Sequence, residues 1–143
     1  MAAYEHLNPD QLRGIAEAHG NKYFANYKDP EKRDRGCCFD YSDHFGVYGG
    51  IKGTKIKAYE TEEDGAPHGI NVVPTTQGPH AVDFTYIQFD KTAKMPHIEP
   101  LHEYTARFKN QFPKMIEYPP DDPEKDFIKD LYPSMDWKYG DPL

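Results

Sequence analysis

The stretch AVDFTYIQF, residues 81 to 89, is the strongest predictor of the fold in this chain. Aromatic and β-branched residues fall on both alternating faces of the stretch, and these residue types favour β-strands. A strand that is apolar on both faces is typical of a position inside a sheet. We therefore predict a central β-strand over residues 81 to 89.

Two segments that precede this strand predict the rest of the sheet. In residues 37 to 60, apolar residues alternate with polar ones on either side of Gly49 and Gly50, which predicts an antiparallel hairpin with one solvated face. The sequence INVV, residues 70 to 73, predicts a short strand between two loops. The expected sheet is antiparallel, with about four strands between residues 37 and 89.

The sequence LNPDQLRGIAEAHGN, residues 7 to 21, predicts an N-terminal helix. Asn8 and Gln11 have the spacing of a capping box, and Pro9 suits the first helical position. Gly20 is typical of the residue that follows the end of a helix. The helix is therefore expected to end just before Gly20.

Two C-terminal helices are predicted by apolar residues at helical spacing, over residues 99 to 112 and 122 to 132. The fold class is α+β, with an extended tail rich in proline and aromatic residues. We predict a compact domain over residues 1–112 and a C-terminal segment over residues 113–143, part helical and part extended.

The composition combines few aliphatic residues with many aromatic ones. Leu, Ile, Val and Phe supply 25 of 143 residues, below the level of about 20% at which charged chains become unable to fold alone. Eleven Tyr add large side chains that can be buried. The sequence therefore predicts a small, aromatic-rich core that is completed by contacts with other proteins.

The net charge of -7 argues against several classes of partner. Binding to nucleic acid requires a cationic face, and no run of Lys and Arg stands apart from neighbouring acidic residues. An anionic membrane surface is disfavoured for the same reason. The chain shows no signal peptide and no apolar segment of membrane-spanning length, so we expect an intracellular, cytoplasmic protein without membrane insertion.

The sequence PHIEPLHEY, residues 96 to 104, contains a candidate metal site. His97, Glu99 and His102 could bind zinc or another divalent metal, and His68 and His80 are possible additional ligands. Zinc-binding histidines on one helix are separated by four positions, whereas His97 and His102 are separated by five. Glu99 as a helix N-cap is the competing interpretation, and it is favoured.

A second candidate site lies in the stretch that begins with the adjacent Cys37 and Cys38. In an extended strand, Cys38, Asp40, Ser42 and His44 share one face, which places a thiol and a hydroxyl near an imidazole and a carboxylate. Side chains on one strand face run parallel to each other and do not converge, so nucleophilic catalysis is disfavoured. A reactive Cys38 predicts rapid alkylation.

The C-terminal segment is a candidate binding surface for a protein partner. Prolines limit the entropy lost when an extended segment is ordered on a surface, and aromatic rings act as anchors. A tail that wraps its own domain remains an equal alternative. The candidate partner-binding residues are Tyr118, Pro119, Pro120, Tyr132, Trp137 and Tyr139.

These patterns favour a non-enzymatic interaction protein without a cofactor. We expect an accessory or structural subunit that docks onto a larger protein assembly, such as a cytoskeletal, ciliary or organellar one. The alternative is a small metal-dependent enzyme or binding protein whose loop histidines form a site at one end of the sheet.

Overall fold

A computed structural model of the chain shows an α+β fold with a five-stranded antiparallel sheet and three α-helices in its described part. The structure describes residues 7–24, 27, 37–60, 67–108 and 114–120. The helices are α1 (Pro9–Tyr23), α2 (Cys37–Tyr48) and α3 (Leu101–Phe108). The strands are β1 (Lys55–Glu60), β2 (Pro67–Thr75), β3 (Gly78–Asp83), β4 (His97–Pro100) and β5 (Lys114–Pro120), and a short 3₁₀ helix (Tyr86–Gln88) precedes β4.

The strands lie in the order β4-β3-β2-β1-β5 and every neighbouring pair is antiparallel. Strands β2 and β3 form a tight hairpin in which Thr75 pairs with Gly78. Gly78 has a φ of 94°, a left-handed conformation that glycine adopts without steric cost. Strand β3 has a partner on each side, so the central position predicted for the stretch of residues 81 to 89 is confirmed for the part that forms a strand.

Helix α1 begins with the predicted capping box. The Gln11 backbone N–H donates to Asn8 Oδ1 at 2.8 Å, and the Asn8 backbone N–H donates to Gln11 Oε1 at 2.9 Å. Pro9 is the first helical residue, where its missing N–H costs nothing. The predicted start of the helix is therefore confirmed.

The predicted end of helix α1 is wrong, because the helix continues past Gly20 to Tyr23. An ideal Cβ atom built on Gly20 would lie 2.6 Å from Cζ of Tyr27, whose ring packs directly over the glycine. Gly20 is therefore explained by the close approach of an aromatic ring and not by a left-handed backbone.

The hairpin predicted over residues 37 to 60 is only half correct. Lys55–Glu60 forms a strand, but Cys37–Tyr48 is helix α2. The alternation of apolar and polar residues is interrupted by Asp43, whereas a helical period places one buried face on α2. The buried side chains among its described residues are Cys38, Tyr41, Ser42, Asp43, His44 and Phe45, so burial in the middle of α2 extends beyond one face.

The segment over residues 81 to 89 is also shorter as a strand than predicted, because β3 ends at Asp83 and Tyr86–Gln88 forms the 3₁₀ helix. The helix predicted over residues 99 to 112 is observed as α3, which begins at Leu101. Glu99 lies in strand β4, so it does not cap this helix. The helix predicted over residues 122 to 132 lies outside the described residues.

Strand β5 contains three of the predicted partner-binding residues, Tyr118, Pro119 and Pro120, and its backbone pairs with β1 of the same chain. The sheet therefore extends beyond the predicted domain boundary at residue 112. The other predicted partner-binding residues, Tyr132, Trp137 and Tyr139, lie outside the described residues. In the described ranges, no helix combines the length and the hydropathy that crossing a membrane requires.

The core is rich in aromatic rings. Phe24 stacks on Tyr41 with a centroid separation of 4.3 Å and meets Phe84 edge-to-face at 5.0 Å. Phe45 from α2 contacts the same Phe84 ring at 5.1 Å. Rings from α2 and from the segment after β3 thus pack together with Phe24 and compensate for the small number of aliphatic residues.

The two glycines of helix α1 predict opposite effects of the same substitution. Gly14→Ala should raise the free energy of unfolding by about 0.5–1 kcal/mol, because alanine favours the helix and no atom lies within 4 Å of the new methyl group. Gly20→Ala should instead lower it by about 1–3 kcal/mol, because the buried Tyr27 ring must move. Urea unfolding measures both, and equal stabilisation by the two variants would contradict the packing described for Tyr27.

Candidate functional site

The candidate site is built around a buried pair formed by His68 and Asp83. His68 lies near the start of β2 and Asp83 is the last residue of β3. Because the two strands form one antiparallel hairpin, both residues come to its open end. His68 Nε2–H donates to Asp83 Oδ2 at 2.8 Å, and the two residues are 4% and 0% exposed.

The Asp83 carboxylate is fully engaged by hydrogen-bond donors. The Tyr104 hydroxyl, on helix α3, donates to Oδ2 at 2.8 Å. The Thr85 backbone N–H donates to Oδ1 at 2.9 Å and the Thr85 hydroxyl donates to the same oxygen at 3.3 Å. A buried carboxylate with this many donors is stabilised in its ionised form.

The pKa values of the pair shift in opposite directions. Burial alone would raise the pKa of Asp83, but the charge of His68 and the hydrogen bonds from His68, Thr85 and Tyr104 outweigh burial and lower it. Burial alone would lower the pKa of His68, but the charge and hydrogen bond of Asp83 outweigh it, and the pKa is raised. Both shifts favour the charged pair, in which an imidazolium lies beside a carboxylate.

Cys38 places a thiol beside this pair. It is the second residue of helix α2, and its side chain lies close enough to the His68 imidazole to contribute to the raised pKa of that ring. The backbone N–H groups of a first helical turn have no partner within the helix, so they favour negative charge. The Cys38 thiol therefore lies in the first turn of α2 and beside the His68 ring.

Gln88 completes the surroundings of His68. Its Nε2 atom lies 3.3 Å from His68 Nδ1 and donates to the Thr85 hydroxyl at 3.1 Å. Gln88 is exposed, whereas the other members of the network are buried. The ring of Phe89 meets the His68 ring edge-to-face at 4.9 Å and covers it with apolar surface.

Two of the three predicted metal-ligating residues lie together. His97 Nε2–H donates to Glu99 Oε1 at 3.0 Å, and Glu99 also accepts two hydrogen bonds from Arg107. His102 is exposed on α3. The His97 ring stacks on Tyr86 with a centroid separation of 3.8 Å.

The possible additional ligands, His68 and His80, have different partners from each other. His80 Nδ1 lies 3.0 Å from the carbonyl oxygen of Gly78, to which it can donate, while His68 pairs with Asp83. Among the described residues, no group of three or more His, Cys, Asp or Glu side chains is placed to hold a metal ion. The metal site stays a prediction from the sequence.

The arrangement expected for Cys38, Asp40, Ser42 and His44 on one strand face is wrong, because all four residues belong to helix α2. His44 Nδ1 instead lies 3.0 Å from Nε2 of His19. The imidazole beside Cys38 is that of His68, which lies in β2.

Asp83 and Tyr104 are the site residues that sequence reasoning missed. A carboxylate within the apolar run of residues 81 to 89 was a usable signal, since a buried carboxylate needs donors. Tyr104 lies on the apolar face of a predicted helix, where its ring is explained by packing alone. No sequence pattern signals its hydroxyl as a donor.

Comparisons of the chain with protein-family models, with curated protein sequences and with solved structures return no match. The function therefore has to be argued from the geometry of the site.

The buried pair predicts a window of pH in which it stabilises the fold. Because the pKa of His68 is raised in the folded protein, the contribution of His68 to the free energy of unfolding is complete below about pH 6.5. This contribution decreases as the pH rises through the pKa of the folded state. The lowered pKa of Asp83 means that its contribution is present above about pH 3.9 and is lost on further acidification. The effect of Asp83→Asn on stability should therefore be largest between these limits.

Within that window, we expect Asp83→Asn to lower the free energy of unfolding by about 3–5 kcal/mol, the cost of removing one partner of a buried pair. Urea unfolding across the pH range measures the effect. Glu17→Gln, on the exposed surface of α1, is the control. An Asp83→Asn effect that is independent of pH would show that His68 is neutral in the folded protein.

Proposed function

We propose that this protein is a cysteine-dependent hydrolase or acyl transferase, with Cys38 as the nucleophile. The observation that supports the proposal is the sequence of contacts from Cys38 to His68 and from His68 to Asp83. A nucleophile, a base within hydrogen-bonding reach and a third group that orients the base are the parts that nucleophilic catalysis requires.

Each residue has a distinct role in the proposed reaction. Asp83 fixes the orientation of the His68 ring by accepting the Nε2–H, which leaves Nδ1 as the nitrogen that exchanges a proton with the thiol. Tyr104 and Thr85 are positioning residues that hold the carboxylate. The charged His68 ring lies beside Cys38 and is the group that gives a proton to the leaving group.

The reaction proceeds in two steps. The Cys38 sulfur attacks the carbonyl carbon of an amide or ester, a sulfur–carbon bond forms, and the leaving group departs with the proton from His68 Nδ1. In the second step, water or another acceptor gives a proton to His68 and attacks the thioester, and the thiolate is restored.

Three features support this function over a purely structural role for the network. Stability alone does not explain a buried ion pair well, because apolar residues of similar volume often stabilise a protein as much or more. Perturbed pKa values in a compact cluster are typical of functional sites. The thiol lies in the first turn of a helix and beside the His68 imidazole, within reach of the proposed acid–base group.

Acyl transfer to Cys38 can be tested with p-nitrophenyl acetate as an activated ester. We expect one acetyl group on Cys38, identified by mass spectrometry of peptides from acid-quenched protein. Cys38→Ser should lose the labelling and Cys37→Ser, at the neighbouring thiol, should keep it. His68→Gln should slow it by at least about 10²-fold, because general acid–base groups contribute that much or more.

Equal labelling of the two cysteines at the rate of a free thiol in a denatured chain would contradict the proposal. Labelling that is unaffected by His68→Gln would do the same, since the imidazole would then have no part in activating the thiol.

A further inference from the structure

The proposed reaction requires hydrogen-bond donors for an oxyanion. Attack of the thiolate turns the carbonyl oxygen of the substrate into an oxyanion, and hydrogen-bond donors aimed at that oxygen are among the largest contributions to catalysis. In the part of the chain that the structure describes, the side chains in contact with His68 include one amide donor, Gln88.

We infer that the side-chain amide of Gln88 stabilises the oxyanion, and this inference rests on the proposed function. The Gln88 Nε2 atom lies 3.3 Å from Nδ1 of His68, the ring nitrogen that exchanges a proton with Cys38. The donor is therefore next to the reacting atoms. Its side chain is exposed, so a carbonyl group that arrives from solvent can reach it.

The position of Gln88 is fixed by the same turn that fixes Asp83. Thr85 precedes the 3₁₀ helix, and its hydroxyl donates to Asp83 while it accepts from Gln88 Nε2 at 3.1 Å. The Gln88 backbone N–H also donates to the Thr85 carbonyl oxygen at 3.1 Å. Thr85 thus holds both the side chain and the backbone of Gln88. A donor that is already held in place loses little entropy when it binds an oxyanion, which is the benefit of preorganisation.

The Gln88 amide is also available to the oxyanion. A protonated Nδ1 has no lone pair to accept an N–H. Because the raised pKa of His68 favours the protonated ring before the substrate binds, the Gln88 N–H on that side needs another acceptor. The oxyanion supplies that acceptor.

A second donor for the oxyanion is the backbone N–H of Cys38. It belongs to the first turn of α2 and has no acceptor within the helix. A backbone N–H at a helix N-terminus and a side-chain amide together form the usual kind of oxyanion hole. Gln88 is the member of this pair that can be removed by mutation.

Two reactions of the Cys38 thiol distinguish direct stabilisation of the oxyanion by Gln88 from an indirect effect of Gln88 through His68. Alkylation by iodoacetamide displaces iodide from a saturated carbon and forms no oxyanion, whereas acylation by p-nitrophenyl acetate passes through one. Gln88→Ala and Gln88→Met, which remove the amide without adding a charge beside His68, should lower the acylation rate by about 10²-fold, the size found for loss of one oxyanion donor. Both variants should leave the alkylation rate within about twofold of wild type.

The control is Gln77→Ala, an exposed glutamine in the turn between β2 and β3, which should change neither rate. If both rates fall together in the Gln88 variants, Gln88 acts through His68, and the inference is overturned. If neither rate changes, Gln88 has no role in the reaction. In either case the proposed function stands as long as wild type is acylated at Cys38, and a wild type that is not acylated there removes both proposals.

Discussion

The structure depends on the buried ion pair between His68 and Asp83. A carboxylate without exposure to solvent is very costly unless it is paired and hydrogen-bonded. Three parts of the fold meet this requirement together: the start of β2 supplies the imidazole, helix α3 supplies the Tyr104 hydroxyl, and the turn after β3 supplies the Thr85 donors. These elements cannot shift independently without leaving a buried charge unpaired, so the pair also fixes their relative positions.

The buried pair of His68 and Asp83 is also central to the chemistry proposed for this site, which has little polar surface. Asp83 favours the protonated form of His68 and fixes the orientation of its ring, and helix α2 brings Cys38 to that imidazole. In the proposed reaction the charge is present before the substrate binds, so little reorganisation of the surroundings is needed. The aromatic packing around Phe24 and Phe84 makes the scaffold rigid enough to keep these distances, despite the small number of aliphatic residues.

Local signals in the sequence predicted some elements well and others not at all. The capping box of Asn8 and Gln11 is decided by neighbouring residues, and the structure confirms it. The stretch from Cys37 to Tyr48 carries both an imperfect alternation and a helical period, and packing on β2 selects the helix. Gly20 has a tertiary explanation, the ring of Tyr27, that no local pattern reveals.

The sequence indicated single residues of the site but not that these residues come together. Cys38 and His68 were both candidates from the sequence, but for two different kinds of site. Their meeting with Asp83 depends on the register of the β2–β3 hairpin and on the packing of α2, which are properties of the whole fold. The expected role as an accessory subunit of a larger assembly stays a prediction, since Tyr132, Trp137 and Tyr139 lie outside the described residues.

The most direct test of the account is the protonation state of His68, measured by ¹⁵N NMR of the imidazole ring in the intact protein. We expect both ring nitrogens to carry protons from about pH 5 to pH 8, because the raised pKa keeps the ring charged beyond the ordinary value of about 6.5. A single-proton ring at pH 7, with an ordinary titration near 6.5, would contradict the buried ion pair and the activation of Cys38 that follows from it.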